Sequence, residues 1–184
     1  MAGLLHDQGN LEEAEPLYLE ALNSRRRILG DDHPDTLNSF GNMACLLHDQ
    51  GNLEKPEPLY REALNSSRRI LGDDHPGTLI SINNMASLLQ AQGNLEEAEP
   101  LYREALNSRR RILGDDHSDT LISINNMAGL LETQGNLEEA EPLYREVVNR
   151  SRRTLGDDHP HTLIFQRKWD KFQLRQEALR REEY

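Results

Sequence analysis

The triplet Asp-Asp-His occurs four times, ending at His33, His75, His117 and His159, always at one fixed step along the chain. Two carboxylates and an imidazole are groups that a divalent metal accepts, but ligand bonds near ~2 Å require a shared centre. Equivalent histidines on successive repeats stand about one helix-pair layer apart, and a single triplet offers at most a loose site. The triplets precede Pro34, Pro76 and Pro160, a placement that points to helix starts. Asp is favoured as a cap, proline fits the first turn, and negative charge complements a helix N-terminus. No metal and no cofactor are expected. Cys45 is the one cysteine, occurs in one repeat only and has no specific base beside it. The chain carries no Ser/His/Asp constellation, glycine-rich phosphate loop or metalloprotease motif, so the expectation is that it is not an enzyme.

The chemistry that remains is polar recognition. Asn42, Asn84 and Asn126 recur at the same step, with Asn83 and Asn125 preceding two of them. A carboxamide both donates and accepts, so a row of them can grip the backbone of an extended peptide whatever its sequence. The alternative is that these amides satisfy neighbouring helix ends. Three rungs at helix spacing span roughly 20–30 Å, which suits about six to nine extended residues. Beside them, three columns vary between repeats: Gly3/Cys45/Ser87/Gly129, His6/His48/Gln90/Glu132 and Asp7/Asp49/Ala91/Thr133. Spaced i, i+3, i+4, they form one helical stripe. Either they are specificity positions facing a groove, or they record drift in duplicated units. These columns hold no Lys or Arg where the helix pair is complete, so a neutral or basic partner segment is expected.

The elements that position these residues follow from the repeat itself. Gly9, Gly51, Gly93 and Gly135 keep the same step, and so do Met1, Met43, Met85 and Met127. Apolar residues at Leu79, Ile82, Met85, Ala86, Leu88 and Leu89 have helical spacing. Gln92-Gly93-Asn94 ends that helix, and Asn94 with Glu97 is expected to form a reciprocal cap for the next. The second helix carries Leu95, Ala98, Leu101, Tyr102, Ala105, Leu106, Ile112 and Leu113, with Arg109 to Arg111 in its last turns and Gly114 beyond. The Arg runs read as solvated helix ends. Helices are expected at about 11–29, 34–50, 53–71, 76–92, 95–113, 118–134 and 137–155, with 1–8 a truncated first helix. Short connections make each pair antiparallel, and a single pair cannot bury its apolar face, so units must stack. The fold class is all-α.

Composition sets the outer limits. The net charge is −11, with 36% hydrophobic and 29% charged residues. Acidity argues against nucleic acid and anionic lipid as partners. No apolar run approaches the ~20 residues needed to span a bilayer, and a lone cysteine fits a reducing compartment. A cytoplasmic protein is expected.

The repeat resembles the tetratricopeptide repeat. A large apolar residue, then Leu or Met, a small residue and another large one fall at Ile82, Met85, Ala86 and Leu89, followed by Ala98, Tyr102 and Ala105. Phe40, Met43, Ala44, Leu47 and Tyr60, and Ile124, Met127, Ala128, Leu131, Ala140 and Tyr144, repeat the pattern. The signature Trp is missing, and the terminal Pro is replaced by Arg68, Arg110 and Arg152. Units of this extended length, with LGDDHP between them, are similar to the kinesin light chain type. This resemblance implies a right-handed α-solenoid whose first helices line a concave groove, and a scaffold or adaptor that binds a protein or peptide there. Asn42, Asn84 and Asn126 resemble the asparagine that contacts ligand backbone in related arrays. A regulatory sensor arm of a larger signalling NTPase, a kinesin light chain-like protein, and a self-associating structural fragment are the alternatives.

Two places break the pattern. Glu54-Lys55-Pro56-Glu57-Pro58 puts Pro56 where other units have alanine, which predicts an irregular start to that helix. From Pro160 the repeat is abandoned: Phe165, Trp169, Phe172 and Leu179 make one face. Residues 1–159 read as the tandem array and 160–184 as a C-terminal helix that caps it or docks a partner. The opening MAGLLHDQGN reads as the second half of a first helix, as in a piece of a longer array, with an uncapped end that could self-associate.

Overall fold

The computed structural model describes residues 1–31, 33–51 and 56–182. The described residues form nine α-helices and no strand: α1 (Ala2–Asp7), α2 (Leu11–Leu29), α3 (Pro34–Asp49), α4 (Pro56–Leu71), α5 (Pro76–Ala91), α6 (Leu95–Leu113), α7 (Ser118–Gln134), α8 (Leu137–Leu155) and α9 (Pro160–Glu182). Two compact units, Met1–Ala105 and Leu106–Tyr184, divide within α6. In the first, α1 packs on α2, α2 on α3, α3 on α4 and α4 on α5, and α3 also meets α5; in the second, α7 packs on α8 and α8 on α9. This is the all-α, helix-pair architecture that the tetratricopeptide resemblance implies. The helix start expected at 53, and the irregularity expected ahead of Pro56, fall partly on residues 52–55, which lie outside the described residues.

The turns explain why the helices stop where they do. Gly93 takes φ +82°, a left-handed conformation that any side chain would strain. Its N–H donates to Gln90 O at 3.1 Å, and Asn94 N–H donates to Leu89 O at 2.8 Å. This is the paired closure of a Schellman turn, and it satisfies carbonyls that the helix end would otherwise leave open. Gly9-Asn10 and Gly135-Asn136 close with the same two bonds. The asparagines contribute through their backbone. Asn10 and Asn136 make no side-chain cap bond, and the Asn94 amide donates to Gln92 Oε1 at 3.4 Å. At Asn10 and Asn136 the side-chain cap expected at this turn is therefore not the device used.

The first helices are capped by histidine, where Asp was expected. The Nδ1 atoms of His33, His75 and His117 accept from the backbone N–H of Asp35, Gly77 and Asp119 at 3.2, 3.1 and 3.1 Å. His159 does the same for His161 at 3.2 Å. The cause is local. Proline at the first helical position disfavours helical backbone in the residue before it, and His75 sits at φ −70°, ψ 138°, directly ahead of Pro76; His117, ahead of Ser118, holds the same extended backbone at φ −70°, ψ 142° without it. The histidine immediately ahead of the first helical residue becomes the cap, and the aspartates stand too early. An accepting Nδ1 is unprotonated, so each ring carries its hydrogen on Nε2.

Packing then follows the repeat. In the first unit Phe40, Ile82 and Ala98 are wholly buried, as are Ile124, Leu130 and Val147 in the second. The α9 face closes over α8: Phe172 packs at 5.2 Å from the Tyr144 ring and stacks on Trp169 at 5.8 Å. Leu179, expected on that face, is 41% exposed. Successive second helices are tied by Arg26–Glu62 at 3.7 Å and Arg68–Glu104 at 2.6 Å, and in the second unit by Arg110–Glu146 at 2.8 Å. Arg68 and Arg110 occupy the place of the missing proline, so the lengthened helix gains a lateral contact.

Replacing the histidine cap tests this account. His75→Ala should lower stability by about 1 kcal/mol, whereas His75→Asn, itself a good cap, should recover most of it. Urea midpoints at pH 7.5 measure both, and equal midpoints for wild type and His75→Ala would remove the histidine from the capping role.

Candidate functional site

Where α3 and α5 lie side by side in the first unit, they leave a cleft of about 260 Å³. α3 supplies Asn38, Asn42 and Cys45, α5 supplies Ile80, Ser81 and Asn84, and Ser67 and Leu71 of α4 close one end. Two rungs of the asparagine row thus meet in one depression. Asn42 is exposed and Asn84 half-buried, so both amides have surface open to a ligand. Asn83 is half-buried beside them. In the second unit Asn126 is half-buried, while Asn125 is buried at 4% exposure and donates from Nδ2 to Asn126 Oδ1 at 3.3 Å. Asn125 is a support for its neighbour rather than an open contact.

The variable columns have an internal partner that the sequence did not reveal. The buried second-helix tyrosines reach the first helices. Tyr60 Oη donates to Cys45 Sγ at 3.2 Å, Tyr102 Oη to Gln90 Oε1 at 3.1 Å, and Tyr144 Oη to Glu132 Oε2 at 2.8 Å. At Gly129 an added Cβ would lie 3.6 Å from the Tyr144 hydroxyl, as it would at Gly3 from that of Tyr18. Two of the three columns therefore surround a phenol that needs an acceptor once it leaves water. The third column behaves differently. Asp49 lies 2.8 Å from His6 Nε2 and 3.2 Å from His48 Nδ1, and Thr133 donates to the Gly129 carbonyl at 2.8 Å. Ser87 and Ala91 are exposed.

Burial sets the chemistry of these groups. It pushes the Tyr102 phenol up to about 12, and the phenols of Tyr60 and Tyr144 rise further for the same reason. Burial also raises the Cys45 thiol, against the lowering effect of the Tyr60 hydrogen bond. A thiol held protonated is a poor nucleophile. Partial burial works to raise the Asp49 carboxyl, but His6 and His48 together hold it below the usual range. Among the described residues no group of three His, Cys, Asp or Glu side chains is placed to hold a metal ion.

A second column went unnoticed in the sequence, although its alternation was visible there. Arg25, Ser67, Arg109 and Ser151 occupy one position in successive repeats. Arg25 donates to Ser39 Oγ at 2.6 Å and to the Asp35 carbonyl at 3.3 Å. Arg109 donates to Ser123 Oγ at 2.7 Å and to the Asp119 carbonyl at 3.2 Å. Arg109 is only 5% exposed, so it is not the solvated helix end expected of the Arg runs, and its desolvation lowers the guanidinium pKa. Arg26, next in the run, lies over the Phe40 ring at 5.2 Å. Such contacts are invisible to composition because they pair residues of successive helices.

Comparison with known proteins agrees with this geometry. The tetratricopeptide repeat family model matches residues 1–65, 46–110, 78–153 and 119–167, and the chain belongs to that family. Two crystal structures of a Podosopora anserina protein, described as a kinesin light chain with nearly identical TPR-like repeats, align at TM-scores of 0.80 and 0.79. Each is 25% identical and covers 99% of this chain and 88% of the other. BtubC (BKLC) from P. vanneervenii aligns at TM-score 0.72 and 25% identity, over 83% of this chain and 60% of that one. No curated protein sequence matches. The repeats are kinesin light chain-like, and the chain falls among protein-interaction repeat scaffolds, a group that is generally non-catalytic. Among the described residues no helix is long and apolar enough to cross a membrane.

The buried phenols make alkaline stability a measurable property. Between the free tyrosine value near 10 and about 12, the unfolded chain loses the proton while folded Tyr102 keeps it. The native state then binds more protons, so stability falls as pH rises, by about 1.4 kcal/mol per pH unit for each such tyrosine. Tyr102→Phe should be less stable than wild type at pH 8, having lost the Gln90 hydrogen bond, yet lose stability less steeply between pH 10 and 12. Urea midpoints across that range test this, and parallel slopes would contradict it.

Proposed function

We propose that this scaffold binds an extended peptide or protein segment along its first helices, with Asn42 and Asn84 holding the segment's backbone. The supporting observation is the cleft itself: two amides from adjacent first helices open into one depression of about 260 Å³. An amide can donate to a peptide carbonyl and accept from its N–H at once, so the pair reads main chain more than side chains. Side-chain selection then falls to Cys45, Ile80 and the polar end at Ser67 and Ser81. In the second unit Asn126 is the equivalent amide, while the Glu132 carboxylate is taken up internally by Tyr144 at 2.8 Å and Arg175 at 3.5 Å. The net charge of −11 supports a neutral or basic partner, since charge complementarity mainly sets encounter rate and exclusion of wrong partners. The absence of Lys and Arg from the cleft lining supports the same choice. Within a cell, a cytoplasmic setting suits the lone, protonated thiol.

An immobilised array of nine-residue peptides, probed with the whole chain, tests this reading. The Asn42→Ala/Asn84→Ala double variant should bind the retained peptides about tenfold or more weakly, the loss of one to two net hydrogen bonds. Its thermal melt should stay close to that of wild type, because neither amide belongs to the core. Undiminished binding by a folded double variant would refute the groove.

A further inference from the structure

The end of this cleft at Ser67 matches a place that two other units fill from within. In those units an arginine of the second helix crosses to the next first helix. Arg25 meets Ser39 Oγ at 2.6 Å and the Asp35 carbonyl at 3.3 Å; Arg109 meets Ser123 Oγ at 2.7 Å and the Asp119 carbonyl at 3.2 Å. Both acceptors recur beside Ser67, as Ser81 Oγ and the Gly77 carbonyl, and the guanidinium is gone. Ser67 Oγ lies 3.3 Å from Ser81 Oγ, and Ser81 donates its hydrogen to the Gly77 carbonyl at 3.1 Å.

We propose that the Ser67–Gly77–Ser81 end of the cleft receives the guanidinium of an arginine in the bound segment, in the place that Arg25 and Arg109 take in their own units. The proposal rests on the groove reading and specifies the partner: an extended segment with an arginine beside the Asn42–Asn84 rungs. Three observations support it. Two substitutions coincide here, because the position of Asp35 and Asp119 is Gly77, so the cleft mouth loses a side chain where its interior loses a guanidinium. Ser67, Gly77 and Ser81 all line the same space of about 260 Å³ as Asn42 and Asn84. Among the described residues no Lys or Arg lines it, in a chain of net charge −11. Guanidinium is the matching cation because its planar fork directs several N–H donors to separated acceptors, whereas an ammonium is a single compact point. His75 also lines the cleft, but its Nδ1 is occupied by the cap bond to Gly77 N–H at 3.1 Å.

The whole ¹⁵N-labelled chain titrated with n-butylguanidine, a guanidinium on a butyl chain, tests the pocket directly. Saturable amide shifts are expected at Gly77 and Ser81, with butylamine about tenfold weaker. Ser67→Arg should abolish the shifts by filling the space as Arg25 and Arg109 do. Ser67→Gln, neutral and shorter, should also block them and serves as the second variant if Ser67→Arg fails to fold. Shifts that are absent in wild type, equal for both compounds, or undiminished in a folded Ser67→Arg or Ser67→Gln variant would overturn the assignment. On the peptide array, exchange of arginine for citrulline should weaken wild-type binding but not binding by Ser67→Arg. Peptides that depend on Asn42 and Asn84 but are indifferent to citrulline and to Ser67→Arg would sink this inference and leave the groove standing. Butylguanidine shifts at Gly77 without any effect of the Asn42→Ala/Asn84→Ala change on peptide binding would do the reverse.

Discussion

Six alanines set the distance on which the remaining contacts depend. Ala14, Ala98 and Ala140 on second helices, and Ala44, Ala86 and Ala128 on first helices, are each 0% exposed. A methyl group is small enough to let packed helices keep to the usual ~8–10 Å separation. That closeness carries Tyr60, Tyr102 and Tyr144 far enough for their hydroxyls to touch the opposite helix. Wider spacing would let water reach the phenols and relieve the demand for Cys45, Gln90 or Glu132. Pro56 takes the alanine position in its unit and is buried there, filling the contact with a ring that cannot donate a backbone hydrogen bond.

The tyrosines change what variation between repeats means. Cys45, Gln90 and Glu132 differ in charge, polarity and size, yet each accepts from the same hydroxyl. A buried donor tolerates any acceptor with adequate geometry far better than none. Part of the divergence in that stripe is thus permitted by one internal requirement met in several ways. The asparagine rungs have no such internal reason to persist at Asn42 and Asn84, where the side chains face a depression. Two kinds of column, one answering the core and one facing the cleft, are interleaved on the same helices.

Much of the fold was legible because it depends on period. Apolar spacing, the Gln-Gly-Asn stop and the constant step between repeats gave the helix bounds at 11–29, 95–113, 118–134 and 137–155. The histidine cap was legible in principle at His33, His75 and His159, where proline fixes the residue before it, but not at His117, which precedes Ser118. Arg109 was not legible, because an arginine run looks the same whether it faces water or crosses to Ser123. The site was half legible. The recurrence of Asn42 and Asn84 marked them, but their meeting in one cleft needs helices α3 and α5 side by side. The role proposed for Ser67 was not legible because it rests on what the residue lacks, which only the equivalent Arg25 and Arg109 show.

The caps, turns and Arg–Glu ties all return at the same interval, so the backbone keeps no record of which repeat it is in. Excision of residues 43–84 would join Asn42 to Met85, giving a chain one repeat shorter with every helix pair, histidine cap and Schellman closure still supplied. Arg25 would then be followed in its column by Arg109, and the cleft walled by Ser67 would vanish with the excised residues. Repeat number and cleft content can therefore change together through the loss or gain of a single unit, without any need to reinvent the fold.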